Sequence, residues 1–215
     1  MKSNIKKRIL TSIILLSLLI GMFYYSYIMI ISLFIITIIT WIEFYALISK
    51  ILKDSFFRFI YKALSLIYLS GLVYLIFAIE SEYSNLKIYL LYSVLVAIVS
   101  DIGGFVCGKT FKGKKLTKIS PNKTISGSIG SFIFSSLLIP FFYKNLIDET
   151  LLNLFLITIF ISLISQLGDL FISFLKRKAK VKDTSDLLPG HGGVLDRIDG
   201  IVFAIPLGIF LFIVI

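Results

Sequence analysis

The chain has 215 residues, 58% of them hydrophobic and only 16% charged, with a mean hydropathy of +0.98, which excludes an ordinary soluble domain and points to an integral membrane protein. A net charge of +10 would suit nucleic acid, but the lysines and arginines fall in short clusters between apolar runs, so they read as topology signals beside lipid and no nucleic-acid partner is expected. The one cysteine, Cys107, excludes an internal disulfide, offers no metal pair, and is expected to be a small packing residue.

A membrane-crossing helix needs about 20 mainly apolar residues, and seven stretches qualify, at roughly 8–22, 25–49, 59–79, 87–107, 127–143, 150–175 and 197–215. The first begins like a secretory signal, "MKSNIKKRILTSIILLSLLIG", but no small-x-small cleavage site follows and the apolar sequence continues, so it reads as a retained span. It is short enough to form a tight hairpin with the second, which leaves the number between six and eight. The expectation is an all-α, polytopic helical bundle.

Alternate connections differ sharply in charge. Lys2, Lys6, Lys7 and Arg8 precede the first span, and Lys50, Lys53, Arg58 and Lys62 join the second to the third. Lys109, Lys112, Lys114, Lys115, Lys118 and Lys123 join the fourth to the fifth, and Lys176, Arg177, Lys178, Lys180, Lys182 and Arg197 the sixth to the seventh. Only Lys87 and Lys144 fall on the other side, which puts the N-terminus in the cytoplasm and the C-terminus outside. The outer loops "ESEYSN" and "NLIDET" are short and acidic. No repeat or long linker divides the chain, so one transmembrane domain spans 1–215, with N-terminal spans over 1–86 and a catalytic half over 87–215 that carries cytoplasmic loops at 108–126 and 176–196.

Acids at the edge of a span normally have a partner and a job. Asp101 and Asp169 lie near the ends of the fourth and sixth spans, and Asp196 and Asp199 open the seventh. The expected topology places all four just below the cytoplasmic surface. Helical spacing puts Asp196 with Asp199, and Asp169 with Ser173, on common faces. Carboxylates at one depth suit a hard cation such as Mg²⁺, with room for a second cation, because Mg²⁺ combines a few carboxylates with water and phosphate oxygens. The competing reading makes them structural ion pairs with nearby lysines.

The loops complement the acids. "GKTFKGKKLTKISPNKTISGS" and "KRKAKVKD" bring lysines to the same surface, a composition that suits polyphosphate and anionic headgroups and equally suits plain contact with anionic lipid. The "GKT" at 108–110 has Gly103 five residues before Gly108, but it follows an apolar span and no soluble strand precedes it, so it is not read as a P-loop. Gly104 and Gly108 are better read as permitting close helix packing. Residues 182–200, "KDTSDLLPGHGGVLDRIDG", hold the only histidine, four of the twelve acids and four glycines, as fits a loop whose backbone must approach a ligand. His191 reads either as a turn residue or as a contact to phosphate or base. With no Ser-His-Asp or Cys-His arrangement, no HExxH and no CxxC, the chemistry left is metal-assisted displacement at phosphorus.

Residues 173–199, "SFLKRKAKVKDTSDLLPGHGGVLDRID", resemble the signature of phosphatidate cytidylyltransferases, the CDP-diacylglycerol synthases. The matched positions are Ser173, Lys176, Arg177, Lys182, Asp183, Ser185, Pro189, His191, Gly192, Gly193, Asp196, Arg197 and Asp199. The likeness extends through "QLGDL" and "SDIGGFVCGKTFKGKKLTKISPNKT", with one departure: Ser126 stands where the family usually has glutamate. The resemblance implies transfer of CMP from CTP to phosphatidic acid, giving CDP-diacylglycerol and pyrophosphate, by a homodimer in the cell membrane with its active site at the cytoplasmic face. It implies metal binding by Asp169, Asp196 and Asp199, catalytic roles for Lys182, Asp183, His191, Asp196 and Arg197, and substrate contacts from Ser173, Lys176, Arg177, Asn122, Lys123, Thr124, Gly192 and Gly193. The rivals are a CTP-dependent lipid-alcohol kinase, which would release CDP, and a membrane transporter, which would favour acids at the midplane and paired repeats.

Overall fold

A computed structural model of the chain describes residues 2–83, 86–117, 120–144, 146 and 150–214, with side chains described from Ile9 onward. The side chains of Lys2, Lys6, Lys7 and Arg8, the whole of Lys118, and parts of the two acidic loops therefore lie outside the described residues. The helices are α1 (Lys2–Tyr24), α2 (Ser26–Ile51), α3 (Ser55–Ser81), α4 (Lys87–Phe111), α5 (Ile125–Ser136), α6 (Ile139–Phe142), α7 (Leu151–Lys178), α8 (Leu195–Ile198) and α9 (Ile201–Val214). Among the described residues six helical stretches are long and apolar enough to cross a membrane, and α1 adds a shorter apolar stretch, Ile9–Tyr24. The protein is the all-helical, multi-pass membrane bundle expected, with each apolar run of the sequence found in a helix.

Local chemistry sets the helix ends. Tyr25, in extended conformation, alone separates α1 from α2. Asp54 starts α3 by accepting the Phe56 N–H at 2.8 Å. Thr124 caps α5 through the Gly127 N–H, and Thr150 caps α7 through the Asn153 N–H, each satisfying a donor that a helix start leaves orphaned. The end of α7 carries Lys176, Arg177 and Lys178, cations beside the unpaired carbonyls of a helix C-terminus. There Lys180 takes a left-handed φ of 57°, the Lys180 N–H reaches the Arg177 carbonyl and the Val181 N–H reaches the Lys176 carbonyl. This is a helix-reversing cap, built on a residue other than the usual glycine.

The chain forms two compact units. The first comprises Met1–Ser81 and Leu175–Ile198, the second Glu82–Phe174 and Asp199–Ile215. The segment 175–198, which the sequence grouped with the C-terminal half, thus belongs with the N-terminal helices. In the first unit α2 packs on α1, α3 and α8, and the Trp41 indole N–H donates to the Lys62 carbonyl while the Lys62 ammonium lies over the Trp41 and Tyr45 rings.

In the second unit Tyr92, Val96, Ala97, Leu154, Ile157, Ile161 and Ala204 form the core. Hydroxyls tie its helices together: Tyr92 with Thr158, Ser100 with Ser162, and Ser131 with the Ser100 carbonyl. With no hydrophobic force between helices in lipid, such polar contacts and small residues carry helix association. Gly103, Gly104 and Gly108 of α4 meet Gly127, Gly130 and Ser131 of α5, with Cys107 packed on Gly130, the packing roles the sequence suggested. Ile35, Phe59, Phe105 and Phe210 are left exposed, as a lipid-facing surface requires.

A methyl group on Gly130 would overlap the Cys107 side chain and come within 2.9 Å of the Gly103 carbonyl, whereas one on Gly71 would meet nothing within 4 Å. Gly130→Ala is therefore expected to cost about 1–3 kcal/mol and to lower the melting temperature in detergent, with Gly71→Ala near wild type; thermal unfolding of the two variants side by side checks this.

Candidate functional site

Two polar centres stand out, one in each unit. In the first, the sequence from Lys182 to Val194 is a loop without regular structure, pinched by an antiparallel bridge between Leu188 and Gly192. The Leu188 N–H donates to the Gly192 carbonyl at 2.8 Å, and the His191 and Gly192 N–H groups return to the Leu188 carbonyl. Gly190 and Gly192 supply φ values of 78° and 83°, a conformation glycine adopts without steric cost. Thr11 of α1 donates to the Pro189 carbonyl at 3.1 Å, and Ser12 Oγ lies 3.4 Å from His191 Nε2.

Two carboxylates hold this loop. Asp196 accepts from the Thr184 N–H at 2.8 Å and the Gly193 N–H at 3.0 Å, and its Oδ2 lies 2.9 Å from the Thr184 hydroxyl. Its other oxygen takes the Lys176 ammonium at 2.6 Å in a pair whose side chains are only 14% and 3% exposed. The second carboxylate is Glu43 of α2, buried at 4% exposure. Its Oε1 accepts from the Ser185 hydroxyl at 2.6 Å and the Val194 N–H at 3.1 Å, and its Oε2 from the Thr184 hydroxyl at 2.9 Å and the Leu195 N–H at 2.8 Å. Gly193 makes the closure possible: a Cβ there would overlap Thr184 Oγ1 and lie 2.5 and 2.7 Å from the two Glu43 oxygens.

Glu43 is a residue that the sequence reading passed over. The signal was present, a lone acid within the uncharged run "IITWIEFYALI", a placement that in a span marks function by default. Around this centre Arg177, Lys182, Asp183 and Arg197 stay exposed, with the Arg197 guanidinium donating to the His191 carbonyl at 2.7 Å. Lys176 and Gly193, read as substrate contacts, have Asp196 as partner, and the Gly192 N–H is used within the turn.

The second centre surrounds Asp169 in α7. Its carboxylate forms an ion pair with Lys123 and accepts from Ser173 at 3.3 Å; the Lys123 and Asp169 side chains are about one quarter exposed, at 25% and 26%. Lys123 comes from a folded loop. The Leu116 N–H donates to its carbonyl, and a turn through Pro121 and Asn122 brings its own N–H to the Ser120 carbonyl at 3.1 Å. The Thr124 hydroxyl is taken up in the α5 cap and lies 3.0 Å from that of Ser126, which in turn donates to the Lys112 carbonyl. Ser126, in the glutamate's place, thus anchors the loop. Gly108–Thr110 lies in the last turns of α4, which is no phosphate-binding loop. The backbone carbonyl of Asp199 approaches Gly168, where a Cβ would come within 2.7 Å of it. Asp199 itself is buried and accepts the Gly200 N–H at 2.9 Å. It sits in the turn between α8 and α9, so Asp196 and Asp199 do not share one continuous helix.

The three aspartates differ in fitness for Mg²⁺. Asp169, partly exposed and facing an ammonium, fits a hard cation that draws most of its ligands from water and phosphate. Asp196 has both oxygens filled and would have to release donors first. Among the described residues no three His, Cys, Asp or Glu side chains gather closely enough to hold a metal.

The model of the cytidylyltransferase family matches residues 1–215, and the chain belongs to that family. It is similar to the phosphatidate cytidylyltransferase of Rickettsia typhi, 41% identical over 140 residues, which cover 61% of this chain and 61% of the relative. The phosphatidate cytidylyltransferase of Staphylococcus haemolyticus is 45% identical over 122 residues, 55% of this chain and 46% of the relative. That of Staphylococcus aureus strain COL is 43% identical over 123 residues, with the same coverages. The matches thus span about half to three fifths of the length of these curated relatives.

Removing one partner of a buried ion pair strands the other charge, typically at about 3–5 kcal/mol. Lys176→Met is therefore expected to lower the melting temperature strongly, and Lys176→Met combined with Asp196→Asn to cost less than the sum of the single changes. Thermal unfolding of the four proteins in one detergent checks the cycle.

Proposed function

We propose that the protein is a phosphatidate cytidylyltransferase, moving CMP from CTP to phosphatidic acid to give CDP-diacylglycerol and pyrophosphate. One observation carries the reading most directly: the signature segment folds with Lys176 committed to an internal pair while Arg177, Lys182 and Arg197 remain exposed. Cations left in this way suit phosphate groups. Family membership and the names of the relatives support it.

In the proposed reaction an oxygen of the phosphatidate phosphate attacks the α-phosphorus of CTP. The bond from that phosphorus to the bridging oxygen breaks, and pyrophosphate leaves with the electron pair. Lys182, Arg177 and Arg197 hold phosphate oxygens and neutralise the charge that grows on them. His191 adds a contact beside Arg197, and Asp183 orients the neighbouring Lys182. Asn122 and Lys123 serve the nucleotide from their own loop, with Thr124 fixing that loop's shape. Gly192 and Gly193 shape the turn. Mg²⁺ is part of the proposal: Asp169, with Asp199 beside its helix, would hold it, and it would supply charge neutralisation to phosphate oxygens.

Multi-pass helices let a lipid phosphate arrive laterally while the triphosphate arrives from water. We place this meeting at the cytoplasmic face of the cell membrane, on the strength of the lysine and arginine asymmetry, and propose a homodimer as the working form.

The test uses the full chain in detergent micelles with phosphatidic acid, Mg²⁺ and CTP labelled separately at the α- and γ-phosphates. Label passing from the α-position into lipid, with pyrophosphate released, is expected. Label from the γ-position in the lipid would make the protein a lipid kinase, and no transfer with sound controls would favour a transporter.

A further inference from the structure

We infer that Glu43 is a positioning residue for cytidylyl transfer, an inference that rests on the activity proposed above. A carboxylate in the middle of an apolar helix is costly, and it persists where its partners are good and its role matters. All four hydrogen bonds of Glu43 go to one loop: two hydroxyls at Thr184 and Ser185, and two backbone N–H groups at Val194 and Leu195. Among the described residues no lysine or arginine forms an ion pair with it, so it is not there to neutralise a neighbour.

The order of the donors shows what the contact accomplishes. Each oxygen takes one hydroxyl from the start of the loop and one backbone N–H from its end. Glu43 therefore sets the separation and twist between residues 184–185 and 194–195. Lys182 and Asp183 lie just before the first pair, and Asp196 and Arg197 just after the second. The groups assigned to phosphate thus leave the clamp at both ends, and a shift of the carboxylate moves them together. Glu43 touches no reacting atom in this account; it acts through the loop.

Glutamine separates positioning from simple bulk. It has the same size, but one of its two terminal atoms is a donor. A hydroxyl can rotate to accept from that amide, whereas the N–H of Val194 or Leu195 cannot. One backbone donor would face a donor, and the loop would move by a fraction of an ångström while α2 keeps its packing. Reaction rate responds steeply to such displacement.

The experiment measures kcat and KM for CTP with the full chain in micelles for wild type, Glu43→Gln, Ser185→Ala and the double variant. Folding is checked by melting temperature and monodispersity. Glu43→Gln is expected to lower kcat by about tenfold to a hundredfold, with KM for CTP altered by less than about threefold. Ser185→Ala is expected to lower kcat less, and the double variant to be no slower than Glu43→Gln alone, because both act through one clamp. A Gln variant with wild-type kcat, or two effects that multiply, would overturn the inference. If Glu43→Gln does not fold, Ser185→Ala alone decides, and wild-type kcat in that variant overturns it. A wild-type chain that transfers nothing defeats the proposed activity and the inference together; an active wild type with indifferent variants defeats only the inference.

Discussion

Backbone N–H groups at the edge of an apolar bundle must find acceptors, and in the first unit two carboxylates provide them. Glu43 and Asp196 between them accept the N–H groups of Thr184, Gly193, Val194 and Leu195 and meet the hydroxyls of Thr184 and Ser185. A buried donor left without a partner costs about 1–3 kcal/mol, so these contacts decide whether the loop has one conformation. Much else follows from them. Gly193 is required because the two Glu43 oxygens and Thr184 occupy the place of a side chain. Lys176 is turned inward to balance Asp196, and the remaining cations of the segment are left outside.

The second unit solves a related problem by other means. Its helices approach through glycines and join through serine, threonine and tyrosine hydroxyls, contacts that work in lipid where apolar burial gives no net attraction. Its charged pair, Lys123 with Asp169, is partly exposed. Such a pair can exchange partners at modest cost, unlike Lys176 with Asp196. The two lysine–aspartate pairs therefore differ in character: one is buried and holds a loop, and the other is partly exposed to its surroundings.

Much of this was legible in the sequence. Each apolar run of about membrane-crossing length became helix, because length and hydropathy are local properties. The packing of the glycines at 104 and 108 and of Cys107 was equally readable, since each depends on near neighbours in the chain. The signature residues were found through family likeness, but several of their partners were not. Glu43 contacts residues more than 140 positions away, which no spacing argument can show. The helical-face pairing of Asp196 with Asp199 assumed a continuous helix, and the Asp199–Gly200 turn interrupts it. The end of α7 at Lys178 has neither glycine nor proline to announce it; the cap hydrogen bonds of Lys180 and Val181 set it instead.

The central claim is that the polar loop is a fixed structure anchored on buried carboxylates. Hydrogen exchange resolved to single amides across residues 182–195 of the full chain in micelles tests it most directly. The account predicts that the amides of Thr184, Gly193, Val194 and Leu195 exchange far more slowly than those of Lys182 and Asp183. Uniformly fast exchange across the segment would contradict it.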